Sequence, residues 1–284
     1  MRPRTPTVLE GILQSTREEL ERRKLQTSPQ ALESQATEIA AASGARRKQG
    51  LQAALSQPGM RVIAEFKRRS PSAGSLRANA EVQELVSAYR RGGAAALSVL
   101  TEGPNFEGSL GDLRAAREAC ELPILRKDFI VDRYQLHEAL LAGADAVLLI
   151  VAALEQHELA SLNASARELG LDVLVEVHDR DELRGALNVG AELIGINNRD
   201  LRDFSVDVAR TTLLMKEVPA GVTIVSESGI ATAKQLAALE YEGVAAVLVG
   251  ESLMRSDDPQ AALETLTGPH PVQPGAADSQ PARI

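Results

Sequence analysis

Short apolar segments alternate with longer amphipathic segments from residue 62 to about residue 266. The short segments are continuous hydrophobic runs, which is typical of strands in a parallel sheet that is covered on both faces. The longer segments carry apolar residues three and four positions apart, which is the period of an α-helix. The pattern predicts eight strand–helix units. The predicted strands begin near Val62, Ala95, Ile124, Ala146, Val173, Leu193, Val222 and Ala245.

Glycines mark the ends of many predicted helices, where a left-handed C-cap would lead into the next strand. These glycines are Gly92, Gly93, Gly143, Gly170, Gly190 and Gly243. Strict alternation of strands and helices implies a parallel sheet, and eight units favour an α/β fold that closes into a single (β/α)8 TIM barrel. An open, doubly wound sheet is the alternative, but no glycine-rich dinucleotide loop follows the first strand at Phe66.

The regions that flank the predicted barrel differ from it in composition. The run from Val8 to Leu25 has the pattern of an amphipathic helix, residues 26–50 are polar and rich in alanine, and LQAALSQ suggests a short helix. We therefore predict an N-terminal helical extension over residues 1–61, packed beside or under a catalytic barrel over residues 62–267. Residues 268–284 are rich in Pro, Gly and Ala and have few apolar residues to bury, so we predict a disordered tail.

Composition restricts the class of protein. The 284 residues are 44% hydrophobic, and no apolar run approaches the roughly 20 residues that span a bilayer. A start without a signal-peptide pattern and a single cysteine favour a soluble protein of the cytoplasm. A net charge of -8 argues against nucleic acid and anionic membranes as partners, because both attract basic proteins.

Polar residues gather where predicted strands end, which is the face where such barrels carry their chemistry. In EFKRRSPSAG, Glu65 and Lys67 alternate with Phe66, so both would lie on the same face of the strand. The loop that follows supplies the hydroxyl of Ser70 and a flexible Gly74, which suits an anion-binding loop. The alternative is a solvated salt bridge between Glu65 and Lys67.

Two further strands end in an ionisable residue. In ILRKDF, alternation places Lys127 inside the barrel if Leu125 is inside, and leaves Arg126 and Asp128 outside. In VLVEVH, alternation places Glu176 inside, where apolar surroundings would raise its pKa toward neutrality. Lys127 is therefore a candidate acid, Schiff-base former or anion binder, and Glu176 is a candidate acid or base. The simpler alternative is that they only neutralise each other.

The last three strands supply amides, a guanidinium and glycines. Asn197 and Arg199 share a face, whereas Asn198 suits a turn and Asp200 suits a helix N-cap. SESGI and VGES follow strands seven and eight, whose loops form the recurring phosphate site of TIM barrels. Their candidate donors are Ser228, Gly229, Gly250 and Glu251, and plain turn chemistry is the alternative.

These motifs, taken in order from about residue 60 to residue 256, resemble the indole-3-glycerol-phosphate synthase family of tryptophan biosynthesis. EFKRRSPSAG is similar to the family pattern E-x-K-x-x-S-P-S. LSVLTEGPNFEGS, LRKDFIVDRYQ, LVEVH, GINNRDL, SESGI and VGESLM follow in the order of the family. The resemblance implies a carboxy-lyase that closes the ring of 1-(2-carboxyphenylamino)-1-deoxyribulose 5-phosphate with loss of carbon dioxide and water. This reaction is the fourth step from chorismate to tryptophan.

The resemblance also implies a role for each matching residue. Lys127 is the general acid, Glu176 the general base, and Lys67 binds the substrate carboxylate. The polar cluster is completed by Glu65, Asn197 and Arg199. The residues around the phosphate are Ser70, Ser228, Gly229, Gly250 and Glu251, and those lining the aryl pocket are Phe106 and Phe129. Some family members have Ser in place of Glu251, so only its backbone N–H is assigned to the phosphate.

The implied reaction changes no oxidation state, so the resemblance implies no cofactor and no metal. The expected ligand is a small molecule with a carboxylate and a phosphate, and partners among pathway enzymes are not predicted. Two other functions compete with the synthase. One is a catalytically silent barrel that binds a phosphorylated ligand. The other is a barrel like phosphoribosylanthranilate isomerase. A resemblance to that enzyme would imply a Cys and an Asp at strand ends as acid–base pair, whereas Cys120 falls in a predicted helix.

Overall fold

A computed structural model describes residues 7–42, 50–200 and 205–268. Eight parallel strands form a closed barrel. They are β1 (Arg61–Phe66), β2 (Ala96–Leu100), β3 (Ile124–Lys127), β4 (Ala146–Ile150), β5 (Asp172–Val177), β6 (Leu193–Asn197), β7 (Thr223–Glu227) and β8 (Ala246–Val249). Strand β1 pairs with β2 on one side and with β8 on the other, so the sheet has no free edge. The predicted TIM barrel is confirmed.

Helices cover the outside of the barrel and extend the chain before β1. They are α1 (Val8–Gln26), α2 (Pro29–Ala42), α3 (Leu51–Leu55), α4 (Val82–Arg91), α5 (Leu110–Ala119), α6 (Arg133–Leu141), α7 (Gln156–Glu168), α8 (Arg180–Asn188), α9 (Ala209–Met215), α10 (Ala233–Tyr241), α11 (Glu251–Met254) and α12 (Pro259–Thr267). Positive φ angles after five of these helices confirm the predicted left-handed caps at Gly93, Gly143, Gly170, Gly190 and Gly243. Gly92 has a φ angle of -74°, so the left-handed cap predicted there was wrong. Cys120 is buried directly after α5 and not inside a helix as predicted.

The two faces of the strands build two apolar cores. Side chains such as Phe66 and Val175 belong to the outer core between strands and helices. Side chains such as Ile63, Leu125 and Leu174 belong to the core inside the barrel. Because neighbouring residues of a strand point to opposite faces, each strand contributes to both cores, and a polar residue near its end is held in a fixed direction.

The helices before the barrel dock at both of its ends. In α3, the backbone N–H of Gln52 donates to Asp172 at the start of β5 over 2.9 Å, so α3 lies under the barrel. In contrast, Lys24 of α1 pairs with Asp132 over 2.9 Å, beyond the end of β3. Helix α1 therefore reaches the side of the barrel where the strands end.

Helix α2 lies in a segment to which the sequence pattern assigned no element. Its alanine-rich sequence buries little apolar surface, but Leu32 and Ala36 are buried against neighbouring helices. Apart from Gly268, the predicted tail lies outside the described residues. Within the described ranges, no helix has the length and apolar character needed to cross a bilayer.

Candidate active site

A cavity of about 450 Å³ opens at the carboxyl ends of the barrel strands. All of the residues predicted to form the site line this cavity. They are Glu65, Lys67, Ser70, Phe106, Lys127, Phe129, Glu176, Asn197, Arg199, Ser228, Gly229, Gly250 and Glu251. The closed barrel brings them together because the ends of its parallel strands surround a single opening.

Lys127 lies at the centre of the polar cluster, at the end of β3. Its Nζ lies 2.6 Å from Oε2 of Glu176 and 2.9 Å from Oε2 of Glu227. Burial by itself would lower the pKa of Lys127, but the charges of Glu176, Glu227 and Glu65 outweigh burial and raise this pKa well above its usual value. Lys127 is therefore an ammonium ion held between the carboxyl groups of Glu176 and Glu227.

Glu176 ends the inward face of β5, and its side chain is only 2% exposed. Oε2 faces Lys127, whereas Oε1 accepts a hydrogen bond from Asn197 over 3.1 Å and lies 3.4 Å from Nε2 of His178. Burial favours the protonated form, but the positive charge of Lys127 and the contact with His178 outweigh it and hold the pKa of Glu176 well below its usual range. The predicted rise of this pKa was wrong, because Glu176 lies in an ionic environment and not in an apolar one.

Glu227 is a site residue that the sequence analysis did not propose. It ends β7 on the same face as Val225, which belongs to the core inside the barrel. Alternation along β7 therefore indicated its direction, but SESGI was interpreted as a phosphate loop. Burial, with only partial compensation by Lys127, raises the pKa of Glu227 to about 7.

Two glycines make room for the carboxylates. A Cβ atom at Gly195 of β6 would overlap Oε1 of Glu227, and a Cβ atom at Gly250 would overlap Oε1 of Glu65. Gly250 was predicted only as a phosphate-loop residue, so its packing against Glu65 is an additional constraint on the site. Any larger residue at either position would displace a charged group of the cluster.

The loop after β1 carries the second ion pair of the site. Nζ of Lys67 lies 2.7 Å from Oε1 of Glu65, and the Lys67 side chain is 18% exposed. Beyond it, residues 69–70 and 74–75 pair as a two-stranded ribbon. The Ser70 hydroxyl accepts the N–H of Ala73 over 3.1 Å inside this ribbon, which holds Ser70 at the cavity wall.

The apolar wall of the cavity includes two aromatic rings. Phe106 and Phe129 have ring centroids 6.2 Å apart and are tilted by 39°. Phe129 is buried, whereas Phe106 is half-buried on the loop after β2. An arrangement of this kind suits a flat aromatic ligand, whose faces and edges pack well against tilted rings.

The opposite side of the cavity is formed by the ends of β7 and β8. Ser228 and Gly229 have φ angles of 67° and 79°, so the chain turns sharply after Glu227. Gly229 also approaches Val206 closely, because a Cβ atom at Gly229 would lie 2.6 Å from Cγ1 of Val206. Glu251, at the start of α11, pairs with Arg255 at 3.3 Å and lies 3.9 Å from Arg199.

One prediction for the loop after β6, a turn at Asn198, was wrong. Asn198 is buried and bonds Thr211 and Ser226, so it connects strands and helix below the cavity and is not a turn residue. The prediction that Asp200 caps a helix depends on residues 201–204, which lie outside the described residues, and the next described helix, α9, begins at Ala209. The partners of the Asn198 carboxamide lie on α9 and on the adjacent strand β7, 13 and 28 residues later in the chain, so a local sequence pattern gives no signal of them.

Known proteins match this chain over most of its length. The family model for indole-3-glycerol phosphate synthase matches residues 9–266. Indole-3-glycerol phosphate synthase 2 of Streptomyces coelicolor is 52% identical over 236 residues, which cover 83% of this chain and 91% of that protein. Indole-3-glycerol phosphate synthase of Rhizorhabdus wittichii is 47% identical over 258 residues, which cover 91% of this chain and 97% of that protein.

Solved structures with lower identity share the barrel. The 3-hexulose-6-phosphate synthase of Salmonella typhimurium superposes with a TM-score of 0.59 at 16% identity and covers 73% of this chain and 97% of its own. A mutant tryptophan synthase alpha-subunit of Pyrococcus furiosus gives a TM-score of 0.55 at 14% identity, over 72% of this chain and 97% of its own. These likenesses concern the fold alone. The match of the family model and the two close relatives show that the chain belongs to the indole-3-glycerol phosphate synthase family.

Proposed function

We propose that Lys127 and Glu176 are the acid and the base of the family reaction in this chain. That reaction is the decarboxylating ring closure of 1-(2-carboxyphenylamino)-1-deoxyribulose 5-phosphate to indole-3-glycerol phosphate. The observation that carries the proposal is the ammonium group of Lys127 between Glu176 and Glu227, on the inner surface of a cavity. A proton donor and proton acceptors thus lie within hydrogen-bond reach of one another, as acid–base catalysis requires.

The two sides of the cavity suit the two ends of the substrate. Phe106 and Phe129 offer an apolar wall to the aryl ring. The loops after β7 and β8, with Ser228, Gly229 and Gly250, offer backbone N–H groups to the phosphate at the opposite side, and Ser70 offers a hydroxyl. Lys67 and Arg199 supply positive charge for the anionic groups in a protein whose net charge is -8. The extended substrate would then pass across Lys127.

Ring closure requires a proton at the carbonyl oxygen. The aryl carbon that carries the carboxylate attacks the ketone carbon, and the carbonyl oxygen takes a proton from Lys127 as the new carbon–carbon bond forms. Carbon dioxide then leaves, and the electron pair of the broken bond restores the aromatic ring. Because the pKa of Lys127 is raised, its proton is drawn off only by the charge that develops on the oxygen. Glu227, whose pKa is about 7, can return a proton to Lys127 near neutral pH.

Dehydration completes the indole. The hydroxyl group takes a proton from the reprotonated Lys127 and leaves as water, while Glu176 removes a proton from the adjacent ring carbon, and the carbon–carbon double bond forms. Glu176 is ionised at neutral pH because its pKa is held low, so it is ready to accept this proton. Asn197 fixes the direction of Oε1 through its hydrogen bond.

Family membership favours the synthase over the silent barrel and over the isomerase-like barrel. The isomerase-like function would need a cysteine at a strand end, whereas Cys120 is buried after α5. Since the protein has no Trp, formation of the indole product can be followed by its fluorescence without interference from protein indole groups. Product formation by the purified protein is the simplest test against both alternatives.

The role of Lys127 is tested by Lys127→Met, which keeps roughly the side-chain length and removes the proton donor. We expect kcat to fall by at least ~100-fold, the low end for general acid–base catalysis, while the substrate still binds through the phosphate loops. The matched control is Lys234→Met on the exposed surface of α10, which should leave kcat unchanged. A kcat of Lys127→Met close to that of the parent would contradict the assignment and make Lys67 the candidate acid.

A further inference from the structure

The carboxylate of Glu176 has a histidine neighbour on the side that faces away from Lys127. His178 follows two residues later in the chain, and its side chain is 9% exposed. Nε2 of His178 lies 3.4 Å from Oε1 of Glu176, which is the separation of an ion pair and is long for a hydrogen bond. His178 therefore lies behind the carboxylate, on the same side of Glu176 as Asn197.

A second carboxylate holds the histidine in place. Oε2 of Glu182, in the first turn of α8, lies 3.0 Å from Nδ1 of His178 and also accepts the backbone N–H of His178 over 2.7 Å. Glu182 is itself fixed, because its own N–H donates to the N-cap residue Asp179 over 3.0 Å. The imidazole ring thus lies between two carboxylates, and only the doubly protonated ring can offer an N–H to both.

The two carboxylates that flank Lys127 differ in this respect. Glu176 contacts Lys127 and the imidazole of His178, which carries a positive charge when it offers an N–H to both Glu176 and Glu182. In the described residues, Glu227 is paired with Lys127 alone. Oε1 of Glu227 also has no hydrogen-bond partner there. Coulomb attraction at separations near 3 Å favours the ionised form of a carboxylate, so the difference favours an ionised Glu176 over an ionised Glu227.

We propose that His178 is a positioning residue. Glu182 holds its imidazole in place, and the imidazole orients the Glu176 carboxylate and gives it a second positively charged neighbour. The inference rests on the proposed role of Glu176 as the base. Its consequence is a division of labour between two buried carboxylates. Glu176 stays ionised and ready to accept a proton, while the proton that the cluster holds near neutral pH resides on Glu227.

The charge state of the histidine agrees with this arrangement. Burial alone would lower the pKa of His178, but the contacts with Glu176 and Glu182 outweigh burial and raise this pKa to about 10. The charged groups that contact the imidazole in the described residues are Glu176 of β5 and Glu182 of α8. His178 is therefore an imidazolium ion throughout the pH range in which most enzymes work.

The test is the pH dependence of kcat in the full-length variant His178→Gln. The amide of Gln can still donate a hydrogen bond toward Glu176, but it carries no charge. Without the positive charge the pKa of Glu176 rises. We therefore expect the acid limb of the pH profile, where kcat falls as the solution is acidified, to move to higher pH. The expected shift of the acid limb is about one to three pH units, the usual effect of one close charge. At pH above about 8, kcat should approach the parental value, because Glu176 is ionised in both proteins.

The matched control is His137→Gln on α6, since His137 is also buried but lies outside the cavity. Its acid limb should stay at the parental pH. If His178→Gln fails to fold, Glu182→Gln supplies the test, because removing the brace should shift the limb in the same direction by a smaller amount. A purely structural histidine would lower the melting temperature and leave the acid limb at the parental pH.

The outcomes separate this inference from the proposed function. If Glu176→Gln is inactive and the histidine and Glu182 variants leave the acid limb unmoved, the positioning role is wrong and the base remains Glu176. If Glu176→Gln keeps parental turnover, the role of Glu176 fails, and the positioning role fails with it.

Discussion

Strand β3 carries two neighbouring basic residues that end in two different buried ionic clusters. Arg126 points outward, between the barrel and α6, and its side chain is 1% exposed. Lys127 points inward, to the cavity. Both side chains are cations among acidic side chains. The two clusters differ in how many of their polar atoms have a hydrogen-bond or ion-pair partner.

In the outer cluster, every arm of the guanidinium has a partner. Nε donates to Thr101 over 3.0 Å, Nη1 to the backbone oxygen of Gln135 over 2.7 Å, and Nη2 to Asp128 over 2.8 Å. Glu138 approaches at 3.4 Å and pairs in turn with Arg23 of α1 at 2.9 Å. A planar fork with five donors is suited to such a fixed arrangement. The cluster ties β3 to α6 and to the N-terminal helix.

In the inner cluster, around Lys127, not every polar atom has a hydrogen-bond partner. Lys127 is a point charge on a flexible stem, and it meets two carboxylates of which one, Glu227, has an oxygen without a partner among the described residues. Here the pKa values move in opposite directions, down for Glu176 and up to about 7 for Glu227. The comparison teaches that a saturated ionic cluster stabilises the fold, whereas an unsaturated one beside a cavity retains protons that can be transferred.

The largest expected effect concerns the outer cluster. Arg126→Met removes the cation and leaves Asp128 and Glu138 buried beside an apolar side chain, so we expect the free energy of unfolding to fall by about 3–5 kcal/mol. Urea denaturation of parent and variant measures this loss. In the folded fraction, kcat should fall far less than in Lys127→Met.

The matched control for this variant is Arg114→Met, which changes an exposed arginine of the neighbouring helix α5. Its free energy of unfolding should stay within about 0.5 kcal/mol of that of the parent. If Arg126→Met were as stable as Arg114→Met but inactive, the assignment of the two clusters to stability and to chemistry would be reversed.

The smallest expected effect concerns the rim of the inner cluster. The Glu251 side chain is 42% exposed and lies near Arg199 and Arg255, where the phosphate is expected. Glu251→Gln removes a negative charge near an incoming dianion, and two charges about 4 Å apart in water interact by about 1 kcal/mol. We expect KM to fall by up to about fivefold with kcat unchanged, and less at high salt because solvent screens the exposed pair. A higher KM would show that the carboxylate itself helps to hold the substrate.

Much of this arrangement could be predicted from the sequence. Alternation along the strands placed Lys127 and Glu176 inside the barrel and Arg126 outside, because backbone geometry alone decides which face a residue occupies. The same rule would have placed Glu227, had it been applied to SESGI. Helix α2 was missed because its stability comes from packing against other helices and its own apolar pattern is weak.

The charge states could not be predicted, because they depend on neighbours that are distant in the chain. Lys127 lies 49 residues before Glu176 and 100 residues before Glu227, so no local pattern reveals that one ammonium group serves both. Glu176 was therefore expected to have a raised pKa, and the barrel reverses that expectation by bringing Lys127 to it, beside His178, which follows two residues later. Closure of the barrel, not the motif, determines which carboxylate keeps its proton.

The most direct test of the account is a single-turnover experiment with Glu176→Gln, with excess enzyme and with ring closure and indole formation followed separately. Lys127 is intact in this variant, so carbon dioxide should be released and a ring-closed, hydroxylated intermediate should accumulate, because no base completes the loss of water. Lys127→Met should instead leave the substrate open and release no carbon dioxide. If Glu176→Gln formed indole at the parental rate, or if both variants stopped before ring closure, the division of roles between Lys127 and Glu176 would be contradicted.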